Sequence, residues 1–324
     1  MARVAALLCA FALDALLGDP YNMPHVVRLV GTLIGAVEKF LRDYVSPTRR
    51  SQLAAGVALV LAVVLASVAA ATCVLWLCWR IAPWLGFVAQ TLLCYQLIAA
   101  RQLRVEARRV YDALVAGDLP GARQAVSMIV GRDTHNLDAA GVTRAAVETV
   151  AENTSDGVVA PLLWMALAGP VGGVLYKAVN TMDSMVGYRN ERYEYLGRCA
   201  AHVDDVCNWV PARLTGALMC LVAPLVGLDG RRAWHILARD RHNHASPNAA
   251  YPEAACAGAL GVQLAGPTSY FGVMHDKPTI GDATRPVCPD DIVRANRLCA
   301  ATSLAAFVLA CGLALVAQGV TGGW

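Results

Sequence analysis

The chain has 324 residues, of which 57% are hydrophobic and only 16% charged, and its mean hydropathy is +0.47. A soluble domain runs about 45–50% apolar and about 25% charged, and a chain of this size has a large surface to cover with polar groups. The composition therefore speaks against a water-soluble globule and for an integral membrane protein. The 27 basic and 24 acidic residues nearly balance, with no Lys/Arg block backed by aromatics, which excludes a polybasic nucleic-acid footprint. The 11 cysteines are scattered and never in CxxC spacing, so they read as small buried hydrophobes rather than a disulfide or redox framework.

In chain order, Val4 to Leu17 is apolar but holds Asp14 and ends in the turn Gly18-Asp19-Pro20. The acid inside the apolar part and the missing small-residue cleavage motif make it a poor signal peptide; a short first span or an interfacial helix is expected. Between Arg50 and Arg80 no residue carries a formal charge. About 20 helical residues cross a bilayer core, so this run spans with length to spare. Ile81 to Ala100 is also uncharged and reads as the return helix of a hairpin, with Arg80 and Pro83 near its turn. Leu103 to Leu119 has helix-like apolar spacing closed by Gly117-Asp118-Leu119-Pro120, and Pro120 can open a further helix to about Val130. Gly157 to Tyr176 is uncharged but broken by Pro161, Pro170 and glycines. It either spans or dips back as a protein-covered element. Val206 to Leu228 has the length to cross if Arg213 is paired or snorkels, and Leu298 to Trp324 is the closing span.

Arg and Lys gather before Arg50, between Arg101 and Arg132, and again at 229–253 and 285–297, whereas the hairpin turn offers only Arg80. By the positive-inside bias these flanks face the cytoplasm. The expected fold class is thus all-α: one polytopic integral membrane domain over 1–324, with helical cytoplasmic loops at 101–153 and 229–253 packed on it, and with re-entrant or broken helices. No stretch has the alternation of a barrel strand.

Four polar clusters stand between the apolar runs. In 131–164, Asp133 and Asp138 bracket a polar turn, and either can cap the following helix. Glu148, Glu152 and Asp156 then fall at i, i+4 and i+8, on one face if the helix continues. Like charges there repel unless a divalent cation or cationic substrate sits between them, and Mg²⁺ favours a few carboxylates plus phosphate oxygens; a solvated acidic face or a cap is the alternative. In 176–197, Lys177, Asn180, Ser184 and Tyr188 form one helical stripe beside Asp183 and Arg189, suited to an anion, although a lone Lys is also a common interfacial anchor. The third cluster, 202–214, puts Asp204 and Asn208 on one face, with Arg213 beyond Pro211. The fourth, 239–261, holds Asp240, His242, His244, Ser246, Asn248 and Glu253 before a small-residue helix; its HxH lacks the third ligand spacing of a zinc site. A glycine-punctuated loop follows at 266–282, in which Tyr270, Lys277 and Gly281 could close over a ligand. Two function classes fit: an enzyme at the cytoplasmic face acting on an anionic substrate, or a transporter whose polar stripes line a path. The charges concentrate in loops rather than at mid-depth, which favours the enzyme.

The long motifs carry a resemblance. LDALLGDP (13–20) with His25 and Gly31, GRDTHNLD (131–138), VETVAENTSDGVVAPLLW (147–164), YKAVNTMDSMVGYRNERYEYLG (176–197), DDVCNWVPARLTG (204–216), RDRHNHASPNAAYPEAACAGALGVQLAGP (239–267) and KPTIGD (277–282) resemble, over essentially the whole chain, the membrane-bound adenosylcobinamide-phosphate synthases of cobalamin biosynthesis. Tyr21 and Ala250 are mild departures. The resemblance implies an amide ligase of the cell membrane with its site facing the cytoplasm. It joins the ring D propionate of cobyric acid, a corrinoid, to (R)-1-amino-2-propanol or its O-phosphate, with ATP and Mg²⁺. The lipid bilayer is the expected surroundings, with other cobalamin-pathway enzymes and a second copy of the chain as candidate partners. On this reading Asp133, Asp138, Glu152 and Asp156 are expected to hold metal and nucleotide, with Glu148 as an alternate and Lys177 neutralising phosphate. Thr134, Asn153, Asn180, Asp183, Ser184, Arg189, Asn208, Arg213, His244, Asn248 and Glu253 are the expected binding residues. The nucleotide would be held without a P-loop.

Overall fold

A computed structural model describes residues 2–20, 24–188, 190–270 and 273–320. Among them the chain is almost entirely helical: α1 (Ala2–Leu17), α2 (Val26–Tyr44), α3 (Arg49–Ile81), α4 (Pro83–Gln96), α5 (Ala100–Val115), α6 (Leu119–Ser127), α7 (Ala139–Thr154), α8 (Ala160–Val186), α9 (Arg198–Cys207), α10 (Trp209–Val222), α11 (Gly230–Asp240), α12 (Ala250–Leu260) and α13 (Asp290–Val320). Five stretches of the described residues are long and apolar enough to cross a membrane: Arg49–Ile81, Pro83–Val115, Ala139–Val186, Trp209–Val226 and Asp290–Gly319. The protein is a polytopic, helical membrane protein. The residues fall into two compact units, one of 1–99, 160–208 and 309–324, the other of 100–159 and 209–308.

In the first unit α3 packs against α2, α4, α8 and α9, around Ile34, Leu59, Val63, Val179 and Met182. Pro83 starts α4 at its first turn, where its missing N–H is no loss. Trp76, Trp79 and Trp84 are exposed about this hairpin turn, as aromatic side chains are at a membrane–water interface. The LDALLGDP motif is a joint: Tyr95 donates to the Gly18 carbonyl, His25 caps α2 by accepting from Val27 N at 3.2 Å, and the Gln96 side chain bonds Val26 N and Pro24 O. The expected break in 157–176 is found in α8, where Ala168 (φ −120°, ψ 15°) and Gly169 (φ 67°, ψ −168°) leave helical geometry just before Pro170. Pro170 lacks the N–H needed to continue the ladder, and glycine alone takes the positive φ cheaply.

In the second unit α7 packs against α5, α6 and α12, and α10, α11 and α12 pack on one another. A Cβ on Gly258 would lie 2.7 Å from Ala233 Cα; the small-residue face of α12 is what lets α11 approach. The core is built of Ala and Val from α7 and α12, with Ile292, Leu298 and Cys299 of α13. Two short antiparallel ladders, absent from the sequence expectation, join this unit. Leu264–Ala265 (β1) pairs with Thr279–Ile280 (β4), and Thr268–Tyr270 (β2) pairs with Val273–His275 (β3). Pairs of two or three residues are too short for any alternation to show.

Candidate active site

α7 ends not in a simple cap but in a π-helical turn, Ser155–Val159. Asp156 stands in this turn and is not among the residues that line the cavity formed by Glu148 and Glu152. Those two glutamates instead meet Arg132, His244, Glu253, Ala265 and Lys277 around a cavity of about 110 Å³. Every one of these residues belongs to the second unit. They come from the turn before α7, from α7 itself, from the loop before α12, from α12, and from the strand segment after it.

The charges are arranged in layers. Glu148, 3% exposed, is ion-paired to Arg132, and its other oxygen accepts from Ala265 N at 2.6 Å. Ala265 is the one described non-glycine residue with positive φ, 58°, a conformation that costs an L-residue about 1–2 kcal/mol. The Glu148 bond helps to hold it. Glu253, 4% exposed, has its carboxyl pushed well above the usual range, first by burial and then by the neighbouring Glu152 and Glu148, which favours its protonated form over that of the other acids of the group. His244 is held down to about 4 by burial and then by the Lys277 ammonium. Its Nδ1 accepts from Ser246 N at 3.0 Å, so the neutral ring carries its proton on Nε2 and is a donor there. The cavity therefore holds two cations, two carboxylates, a neutral acid and a neutral imidazole donor. Volume restricts the occupant: at about 30 Å³ per water it holds three or four waters' worth of ligand, whereas drug-sized ligands need about 300–1,000 Å³.

A second cavity of about 400 Å³ adjoins it, sharing Arg132 and Ala265 as wall residues. Asp133 lines this larger space, its Oδ2 accepting from Ser269 Oγ at 2.6 Å. Thr134 is buried and its carbonyl accepts from Leu137 N. Asp138 is the exposed cap of α7 and accepts from Gly141 N at 2.7 Å. Among the described residues no group of three or more His, Cys, Asp and Glu could hold a metal ion. Asp133, Asp138, Glu152 and Asp156 thus do not form an all-protein cage among the described residues. Asn153 bonds back to Thr149 O. Arg213 is fixed by Trp209 O, by Asn248 Oδ1 at 3.2 Å and by the rings of Trp209 and Tyr251, while His242 is exposed and accepts from Arg241.

The remaining expected residues lie in the first unit. Lys177 donates to Asn180 and Asn180 to Asp204, both at 3.4 Å. Asn208 donates to Asp204 at 2.9 Å, and Tyr176 donates to Asn208 at 2.9 Å. Burial raises the Asp204 carboxyl, against the two asparagine hydrogen bonds. Ser184 is exposed and bonds Asn180 O; Asp183 is half-buried, and Arg189 lies outside the described residues.

The sequence marks Arg132 only as a topological charge and does not single out Arg144; no helical spacing rule ties Arg132 to Glu148, 16 positions on, or either arginine to the 265–269 segment that shares their cavity. The turn sequence around Lys277 was the available signal for the strand segment.

The family described as CobD/Cbib protein matches residues 7–299. The chain is 53% identical to "Cobalamin biosynthesis protein CobD" of Geobacter metallireducens, over 87% of this chain and 88% of that one. It is 46% identical to "Cobalamin biosynthesis protein CbiB" of Salmonella typhimurium, over 97% and 99%, and 44% identical to the CobD protein of Listeria monocytogenes, over 93% and 95%. No solved structure matches.

Proposed function

The chain belongs to the CobD/CbiB family of cobalamin biosynthesis proteins, and from that premise we propose that it is the ATP-dependent ligase that attaches aminopropanol, free or as its O-phosphate, to the ring D propionate of cobyric acid. The observation that supports this most is the 110 Å³ cavity with its mixed acids, cations and neutral donor. It has the size and polarity of a three-carbon amino alcohol, while a corrin is far too large and can present only its propionate at the rim.

Forming an amide from a carboxylate needs an activated oxygen; the nucleotide supplies this as a phosphoryl group, making an acyl phosphate whose phosphate leaves when the amine nitrogen attacks. The chain's own residues handle the other charges. Glu152 receives the ammonium and takes the proton that frees the nitrogen lone pair, a general-base role worth about 10²–10⁴ in rate. Lys277 offsets negative charge on the acyl group, and His244 Nε2–H donates to the carbonyl oxygen as it becomes an oxyanion. Glu253, neutral, hydrogen-bonds the ligand without repelling it. Arg132 and Glu148 hold the wall between the two cavities.

The test is an assay of purified full-length protein with cobyric acid, Mg-ATP and each form of the amine, following corrin mass. Gain of one aminopropanol unit, dependent on nucleotide, is the expected result. The break at Gly169–Pro170 within a spanning stretch is also what a transporter would use. Corrin flux into liposomes without amide formation would replace the ligase reading by that one.

A further inference from the structure

The 400 Å³ cavity has a feature the reaction above does not use. Arg144, on α7, lines it, and its Nε is buried with no hydrogen-bond partner among the described residues; no described carboxylate lies within ion-pair distance of Arg144. A buried donor left unmade is costly, more so on a charged group, and such orphans in a folded protein call for a ligand. Arg132, on the same wall, is already engaged by Glu148. Asp133 is there too, but one of its oxygens is occupied by Ser269 Oγ. Gly141, in the first turn of α7, forms another part of the wall, its N–H held by the Asp138 cap. His135 and Asn136 are exposed at the cavity's side and leave it an entry. The volume is in the range of a phosphorylated metabolite or nucleotide.

We infer that this cavity is a phosphoryl-anion subsite with Arg144 as its principal ligand, adjoining the small polar cavity through the shared Arg132. The inference deepens the ligase reading, because it places a phosphorylated reactant one wall away from the amine. The phosphoryl group belongs either to the nucleotide or to a phosphorylated amine.

The experiment is direct binding to the full-length protein in nanodiscs, by isothermal titration calorimetry in Mg²⁺ buffer, with inorganic pyrophosphate as probe. Saturable pyrophosphate binding is expected, weakened at least about tenfold by Arg144→Gln, since a charge-assisted bond is lost. Arg144→Lys should fall between, keeping the charge but losing the fork. Competition by ATP assigns the phosphoryl group to the nucleotide, and competition by aminopropanol O-phosphate assigns it to the amine. Asn136→Asp, at an exposed wall position that folding tolerates, puts a carboxylate in the cavity and should also weaken binding. It decides the matter if the Arg144 variants do not fold. Absent binding, or binding unchanged in R144Q or in N136D, overturns the inference. Amide formation without pyrophosphate binding would overturn it alone, and Arg144-dependent binding without amide formation would overturn the ligase reading alone.

Discussion

Glu253 and His244 share one cavity, and burial favours the neutral form of each, raising the acid and lowering the imidazole, so their pH signatures oppose each other. Glu253 has a folded-state pKa raised above its unfolded value by burial, Glu152 and Glu148. Between the two values the folded state binds more protons, so stability falls as pH rises, by about 1.4 kcal/mol for each pH unit inside that window. His244 is depressed to about 4 from 6.5, by burial and then Lys277. Between those values the unfolded state binds more protons, so its contribution makes stability rise with pH and then level off above about 6.5. In the wild type the two slopes oppose each other where their windows overlap, and any Glu253 loss that extends above about 6.5 stands alone. Glu253→Gln replaces one neutral group by another of the same shape. It should change stability little near pH 5 and leave the rising His244 slope exposed, with the variant gaining on the wild type as pH climbs. Thermal unfolding of both proteins in detergent at half-unit steps from pH 5 to 8 measures this; about 1 kcal/mol moves the midpoint by roughly 2–4 °C in a domain of 150–250 residues. A gap between E253Q and wild type that stays flat with pH, or that turns against the variant at high pH, would mean that Glu253 is ionised and paired. The neutral-donor role assigned to it would then be abandoned.

Glu152→Gln should purify and unfold like the wild type yet lose about 10²–10⁴ in turnover; near-normal corrin conversion at limiting Mg²⁺ would reduce Glu152 to a solvated residue. Arg132→Met leaves the buried Glu148 without its cation and should destabilise the protein by about 3–5 kcal/mol, most of it recovered in the double variant with Glu148→Gln, as read by thermal unfolding. Asp138→Ala removes the α7 cap and should cost about 1 kcal/mol while turnover stays near wild type. A collapse of activity with unchanged stability would make Asp138 a ligand instead.

The sequence alone determined the membrane class, the helical hairpin at Pro83, the opening of α6, the break near Pro170 and, through the long motifs, the family. Each of these is set by local chemistry. Uncharged length decides what can cross a bilayer, and proline and glycine act on the backbone where they stand. The same local logic placed Glu148 and Glu152 on one face and singled out His244 and Glu253 within one short passage. Tertiary structure decided the rest. The π turn at 155–159, which no composition rule announces, holds Asp156, and the cavity is lined by Glu148 and Glu152 without it. Asp138 proved to be a cap because its oxygen meets the Gly141 N–H. Arg132 acquired a role only when folding set it against Glu148, and Lys277 only when the short ladders of two and three residues placed its segment at the cavity. Charge state belongs to this second class as well. Glu253 and Glu152 are the same residue type, but only burial among neighbouring acids makes Glu253 hold its proton.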